Sequence, residues 1–139
     1  MIQLVYTSRA RSPMSQDAIL DILRVSRANN AADGLTGVLL YHRDHFFQVL
    51  EGPEAAVNAR FARIERDPRH DRVALLLRDS VAARQFGGWS MGFAPAGELP
   101  ADARDSFVGL LAQPQVANQL VAPSMVRVLL KTFAMVGAG

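Results

Sequence analysis

"LTGVLLYHRDHFFQVLEGP", residues 35–53, decides the fold. Two apolar runs, "LTGVLLYH" and "HFFQVLEG", flank Arg43 and Asp44. Valine, leucine, phenylalanine and tyrosine suit a pleated, half-buried surface, and an aspartate tolerates the backbone of a tight turn. The stretch therefore predicts a β-hairpin. One letter is out of place in it. Side chains on a strand alternate between two faces, so Gln48 shares a face with Phe46 and Leu50. A buried amide needs partners, and leaving it without them costs roughly 1–3 kcal/mol.

On the N-terminal side, "IQLVYTS" alternates with a period of two and puts Ile2, Leu4 and Tyr6 on one strand face. Ser12 or Ser15 then offers a helix N-cap, with Pro13 suited to a first turn. Ile19, Ile22, Leu23, Ser26 and Asn30 recur at helical spacing, and "DGLTG" ends that helix. On the C-terminal side, Gly52-Pro53 opens a second helix with Val57, Phe61 and Ile64 as its apolar stripe, ending near Asp67-Pro68. "RVALLLRDSV" reads as a fourth strand and "WSMGFA" as a short fifth.

A hairpin between two helical segments, with a strand at each end, gives β-α-β-β-α-β plus one strand. This is an α+β, ferredoxin-like arrangement, a mixed sheet with two helices on one face. "APAGELPAD" is a linker by composition, and residues 102–113 and 124–135 carry amphipathic helical patterns separated by "QPQVANQ". These C-terminal helices are expected on the other face of the sheet. The expected division is a domain over residues 1–97 and a helical cap or output segment over residues 98–139.

Tyr6, Asn30 and Gln48 each break an apolar pattern on faces directed at the same interior. One reading is a ligand site, where a few polar groups fix orientation in an apolar cavity. The other is that the three satisfy one another, backbone groups or water.

The segments "LVYTSRA", "SRANNAADGLTGVLLY", "FFQVLEGP", "RIERDPRH" and "RQFGGWSMGF" occur in the order and spacing of the BLUF family, blue-light sensors that use FAD. The chain resembles that family from residue 1 to about 95, and its C-terminal part is compatible with short, stand-alone members. The resemblance implies a flavin held between the two helices, FAD in the family, with FMN and riboflavin as alternatives because the ring carries the photochemistry. It implies that Asn30 bonds the C4 carbonyl side of the ring and that Gln48 lies between Tyr6 and the ring. Ser26 matches a position beside the ring, and Ile22, Phe46 and Ile64 match apolar ring-packing positions. Arg63, Asp67, Arg69 and His70 match the segment approaching the ring edge; by spacing alone, Arg63 and Asp67 are equally a surface i,i+4 pair.

In the family, light drives an electron and a proton from the tyrosine toward the flavin, and the glutamine's hydrogen bonds are rearranged. Tyr6 and Gln48 are the implied relay. Trp89 and Met91, two apart on the fifth strand, are implied to pass the change to the C-terminal helices; plain core packing is the alternative for that pair.

Composition bounds the rest. The chain has 139 residues, 50% hydrophobic, and no cysteine, which excludes disulfides, thiolate metal sites and cysteine nucleophiles. No apolar run approaches the ~20 residues of a membrane span, and "MIQLVY" lacks the pattern of a signal peptide, so a cytoplasmic protein is expected. A net charge of +2 argues against nucleic-acid binding. The arginine group Arg60, Arg63, Arg66, Arg69 and Arg72 is interrupted by Glu65, Asp67 and Asp71. It reads as a solvated face, or as forks gripping one phosphate-bearing ligand. His42, Asp44 and His45 lack the further ligand a metal site needs.

The expected function is photosensory signalling without turnover, toward an unidentified downstream protein or through self-association into a homo-oligomer. The rivals are a small acylphosphatase-like hydrolase, which needs an arginine-asparagine anion cradle with Arg9 as its arginine, and a cofactor-free interaction module.

Overall fold

The structure, a computed structural model, describes residues 1–42, 44–86 and 92–95. Its elements run β1 (Ile2–Ala10), α1 (Gln16–Asp33), β2 (Thr36–His42), β3 (His45–Gly52), α2 (Glu54–Glu65), β4 (His70–Ser80) and β5 (Gly92–Pro95). They form one five-stranded sheet in the order β4-β1-β3-β2-β5. The first four strands are antiparallel to their neighbours and β5 runs parallel to β2, which makes the sheet mixed. The order 4-1-3-2 is that of the ferredoxin-like fold predicted from the sequence.

The hairpin pairs His42 with His45 and leaves a two-residue connection. Asp44 takes it with φ 68°, a left-handed conformation that aspartate adopts more readily than most residues. The Asp44 carboxylate accepts from the Tyr41 hydroxyl at 2.9 Å, and its backbone carbonyl accepts from Ala10 N at 2.7 Å, tying the turn to the end of β1. At the hairpin's other end, Gly37 allows β2 and β3 to approach closely. A Cβ there would lie 1.9 Å from the carbonyl oxygen of Val49.

Helix α1 starts at Ser15, whose hydroxyl accepts from Ala18 N at 3.1 Å. Pro13 therefore precedes the helix instead of lying in its first turn; the serine that can reach the third helical N–H sets the boundary. Gly34, with φ 71°, caps the other end through its N–H to the carbonyl of Asn30.

Both helices pack on one face of the sheet. Ile19 and Leu23 of α1 and Val57 of α2 join Ile2, Leu4, Tyr6, Leu39, Phe46 and Leu50 in a single buried cluster. Arg78, outward on β4, bonds Glu54 and Asn58 of α2 and fixes that helix over the same face. The opposite face is buried too, with Val5, Leu40, Phe47 and Val49 fully covered. The C-terminal helices expected against it lie outside the described residues, as do Trp89 and Met91.

Candidate functional site

A cavity of about 260 Å³ opens between the two helices above the centre of the sheet. Its floor is Tyr6 of β1, Leu39 of β2, and Phe46 and Gln48 of β3. One wall is the α1 face bearing Ile22, Val25, Ser26, Asn29 and Asn30. The other is Arg60, Arg63 and Ile64 of α2, continued by Asp67, Arg69 and His70. Every residue that the sequence singled out for the cofactor and the relay thus lines one cavity: Tyr6, Ile22, Ser26, Asn30, Phe46, Gln48, Ile64, Arg63, Asp67, Arg69 and His70. The cause is topological. Tyr6 and Gln48 are direct partners across β1 and β3, and α1 crosses them with its i, i+4, i+8 row.

Tyr6 and Gln48 are bonded. The phenol hydroxyl of Tyr6 donates to Oε1 of Gln48, and both residues are buried. Phe61 of α2 covers the phenol, with ring centroids 5.4 Å apart. Burial pushes the Tyr6 hydroxyl far above the ordinary tyrosine value, and the charge of Asp67 pushes it the same way. Tyr6 therefore enters the site as a neutral phenol that gives a hydrogen bond to an amide oxygen.

The rim after α2 is held by ion pairing and by a histidine. Asp67 accepts from Arg69 at the backbone N (2.9 Å) and at Nε (3.0 Å), and these bonds hold its carboxyl below the usual carboxylate range. The partner of Asp67 is thus Arg69, not Arg63. The turn that ends α2 folds Arg69 back onto the carboxylate, which the i,i+4 surface-pair reading did not anticipate. His70 is buried and contacts the backbone carbonyl of Ile64 through Nε2. A carbonyl only accepts, so Nε2 carries the hydrogen. The other nitrogen, Nδ1, lies 2.7 Å from the hydroxyl of Ser8. His70 thereby joins the end of α2 to β1 and β4, with its ring edge-on to Phe46.

Val25, Asn29, Leu39 and Arg60 also line the cavity, and the first three escaped the sequence reading. Leu39 was findable, since the hairpin register sets it opposite Gln48. Arg60 belongs to the arginine group read either as a solvated face or as forks gripping one phosphate-bearing ligand. Glu51 escaped as well, on the far face of the sheet. It is fully buried and accepts from Gln3 Nε2 at 2.9 Å, Thr36 Oγ1 at 3.2 Å, Gln85 N at 2.7 Å and Phe86 N at 2.8 Å. Arg84 adds bonds to Thr36 Oγ1 and to the carbonyls of Glu51 and Gly34. Together these pin the chain leaving β4 against the ends of β2 and β3.

Arg9, proposed for an anion cradle, lies elsewhere, in a polar hollow with Arg11, Ser12, Asp44, Asp71 and Arg72. Neither Asn29 nor Asn30 reaches that hollow; both line the central cavity. No helix among the described residues is long and apolar enough to cross a membrane.

Comparison with known proteins decides the family. Residues 1–92 match BLUF, "Sensors of blue-light using FAD". The chain belongs to the BLUF family. It is 38% identical over 84 residues to the blue light- and temperature-regulated antirepressor BluF of Escherichia coli K12, covering 60% of this chain and 21% of that protein. It is 33% identical over 91 residues to the photoactivated adenylate cyclase subunit beta of Euglena gracilis, covering 64% of this chain and 11% of that one. The BLUF chain thus spans about a fifth of the first relative and about a tenth of the second. Among solved structures, it is similar to the dark state of the BLUF protein BlrB, with 34% identity, a TM-score of 0.76 and coverage of 96% and 95% of the two chains. It is also similar to the photo-activated state of BlsA, with 26% identity, a TM-score of 0.79 and coverage of 96% and 94%.

FAD is the cofactor that defines BLUF domains. The donor set of the cavity fits a flavin ring: apolar Ile22, Leu39, Phe46 and Ile64 for its faces, and amide and guanidinium groups of Asn30, Gln48, Arg63 and Arg69 for its carbonyls and nitrogens.

Proposed function

We propose that this BLUF chain is a blue-light receptor in which Tyr6 and Gln48 form the photochemical relay. The observation that carries the reading is the buried hydrogen bond from the Tyr6 hydroxyl to Gln48 Oε1 on the cavity floor. Asn30, Ser26, Arg63, Asp67, Arg69 and His70 hold the polar edge of the flavin, while Ile22, Phe46 and Ile64 pack its faces. The bound flavin supplies absorption of blue light and a strong one-electron oxidant.

The remaining steps belong to the chain. Tyr6 gives up an electron, which acidifies its phenol, and the proton leaves along the hydrogen bond to Gln48. A primary amide accepts at oxygen and donates at nitrogen, so Gln48 can pass a proton and exchange its two ends without changing charge. Electron and proton then return to Tyr6, with Gln48 in a rearranged hydrogen-bond pattern. The dry surroundings of Tyr6 favour this coupled route, because a separated charge there is poorly solvated.

The signal leaves through Trp89 and Met91, and through the segment 98–139, toward a separate protein or a second copy of the chain. The output is a change in association, not turnover, in a cytoplasmic setting.

The test is spectroscopic. The purified protein is expected to be yellow, to release FAD on denaturation, and to show a small, reversible red shift of its flavin bands under blue light. A colourless protein that takes up no added flavin would contradict the proposal.

A further inference from the structure

Tyr6 lies on a strand with two unequal neighbours. On the β3 side the pairing of β1 runs without a break, from Ile2 opposite Gly52 to Arg9 opposite His45. On the β4 side it shifts register twice, between Val5 and Tyr6 and between Thr7 and Arg9. An interrupted ladder holds a strand less strictly, so the place of the Tyr6 phenol is decided by β3. Three residues along the same β1–β3 ladder stands a second polar pair, on the opposite face. Gln3 is the direct partner of Glu51, and its Nε2 donates to the Glu51 carboxylate at 2.9 Å. Both side chains are buried, and neither lines the central cavity. Gln3 Nε2 also donates to Gln85 Oε1 at 3.1 Å. The carboxylate takes further bonds from Thr36 Oγ1 and from the N–H groups of Gln85 and Phe86, which fix it in place.

A strand that slips by one residue turns every side chain to the other face. Apolar burial alone is a lenient guard against this in β1, because Ile2 and Leu4 are buried on one face and Val5 on the other. A buried carboxylate is stricter. A slip takes the Gln3 amide away from Glu51 and leaves a charge short of a donor in a dry place.

We infer that Gln3 and Glu51 are positioning residues for the relay: they lock β1 in register with β3, so that Tyr6 stays opposite Gln48 through the photochemical cycle. This rests on the Tyr6–Gln48 relay proposed above. With the strands locked, the rearrangement falls on the Gln48 amide, which must turn back within a gap of fixed width. The lock thereby raises the barrier to recovery in darkness.

The experiment follows the return of the red-shifted flavin bands in darkness for full-length, FAD-loaded wild type, Gln3→Leu and Val57→Ala. Gln3→Leu keeps much of the side-chain bulk and removes the bond to Glu51. Val57, buried on α2 and outside the cavity lining, supplies a control of lowered stability. Gln3→Leu is expected to retain FAD and to recover about three- to tenfold faster than wild type, one net hydrogen bond taken from the barrier. Val57→Ala recovers within about twofold of wild type, since it shares no partner with the relay. Recovery of Gln3→Leu at or below the wild-type rate, or equal acceleration in Val57→Ala, overturns the lock. If Gln3→Leu holds no FAD, or the wild type shows no shift, amide hydrogen exchange of the wild type decides. Exchange of the Tyr6 and Gln48 amides only by global unfolding supports the lock, and exchange through a local opening of β1 overturns it. A wild type that holds flavin without any light-induced shift refutes the relay itself, whichever way the exchange measurement falls.

Discussion

Tyr6 and Gln48 stand directly opposite each other on adjacent antiparallel strands, and the phenol hydroxyl of one donates to the amide oxygen of the other. Directly opposed residues on one sheet face bring their side chains within contact of each other. The pairing of β1 with β3 thus builds this contact, and the helices close over it.

Burial of the phenol makes stability depend on alkaline pH. Tyr6 is held above its ordinary value of 10.0 in the folded chain, whereas an unfolded chain ionises near that value. The stabilisation is complete below pH 10 and is lost as pH rises beyond it, because the unfolded state then releases a proton that the folded state keeps. Wild-type protein should lose up to about 1.4 kcal/mol per pH unit relative to Tyr6→Phe above that point. Urea unfolding of both proteins at pH 8, 10 and 11 checks this; parallel curves would show that Tyr6 is not shielded.

Asn30 is buried on the α1 wall. Replacing it with alanine should weaken flavin binding roughly five- to tenfold, the value of one net hydrogen bond. Equilibrium dialysis against FAD measures it, and unchanged affinity with an unchanged dark spectrum would remove Asn30 from the site.

Glu51 gathers donors from β1, β2 and residues 85–86. Glu51→Ala should destabilise the fold by about 3 kcal/mol or more, since several buried N–H groups lose their acceptor together. Chemical denaturation reads the loss directly. A change under 1 kcal/mol, within the range of an ordinary surface substitution, would show that the cluster is replaceable.

Gly37→Ala should cost at least about 1–3 kcal/mol and loosen the hairpin, because the new Cβ would meet the Val49 carbonyl. Amide exchange at β2 and β3 should rise before that at β4. A variant as stable as the wild type would mean that the strands can separate without penalty.

Elements with strong periodicity were legible in the sequence, and so were the polar letters that interrupted it. Tyr6, Asn30 and Gln48 stood out because the helical and strand periods assign each to an apolar face. Other features depend on contacts distant in sequence. Glu51 carries no periodic signal of its own, and its partners lie 48, 15, 34 and 35 positions away. The pairing of Asp67 with Arg69 follows from the turn after α2, which periodicity does not describe. The register shifts between β1 and β4, at Val5/Tyr6 and Thr7/Arg9, leave no pattern in the apolar letters.

The most direct test of the central claim is the light-minus-dark absorption spectrum of flavin-loaded wild type, Tyr6→Phe and Gln48→Leu. With Tyr6 and Gln48 as the relay, the wild type gives a reversible red shift, and both variants retain flavin without shifting. A reversible red shift that persists in either flavin-loaded variant would contradict the account.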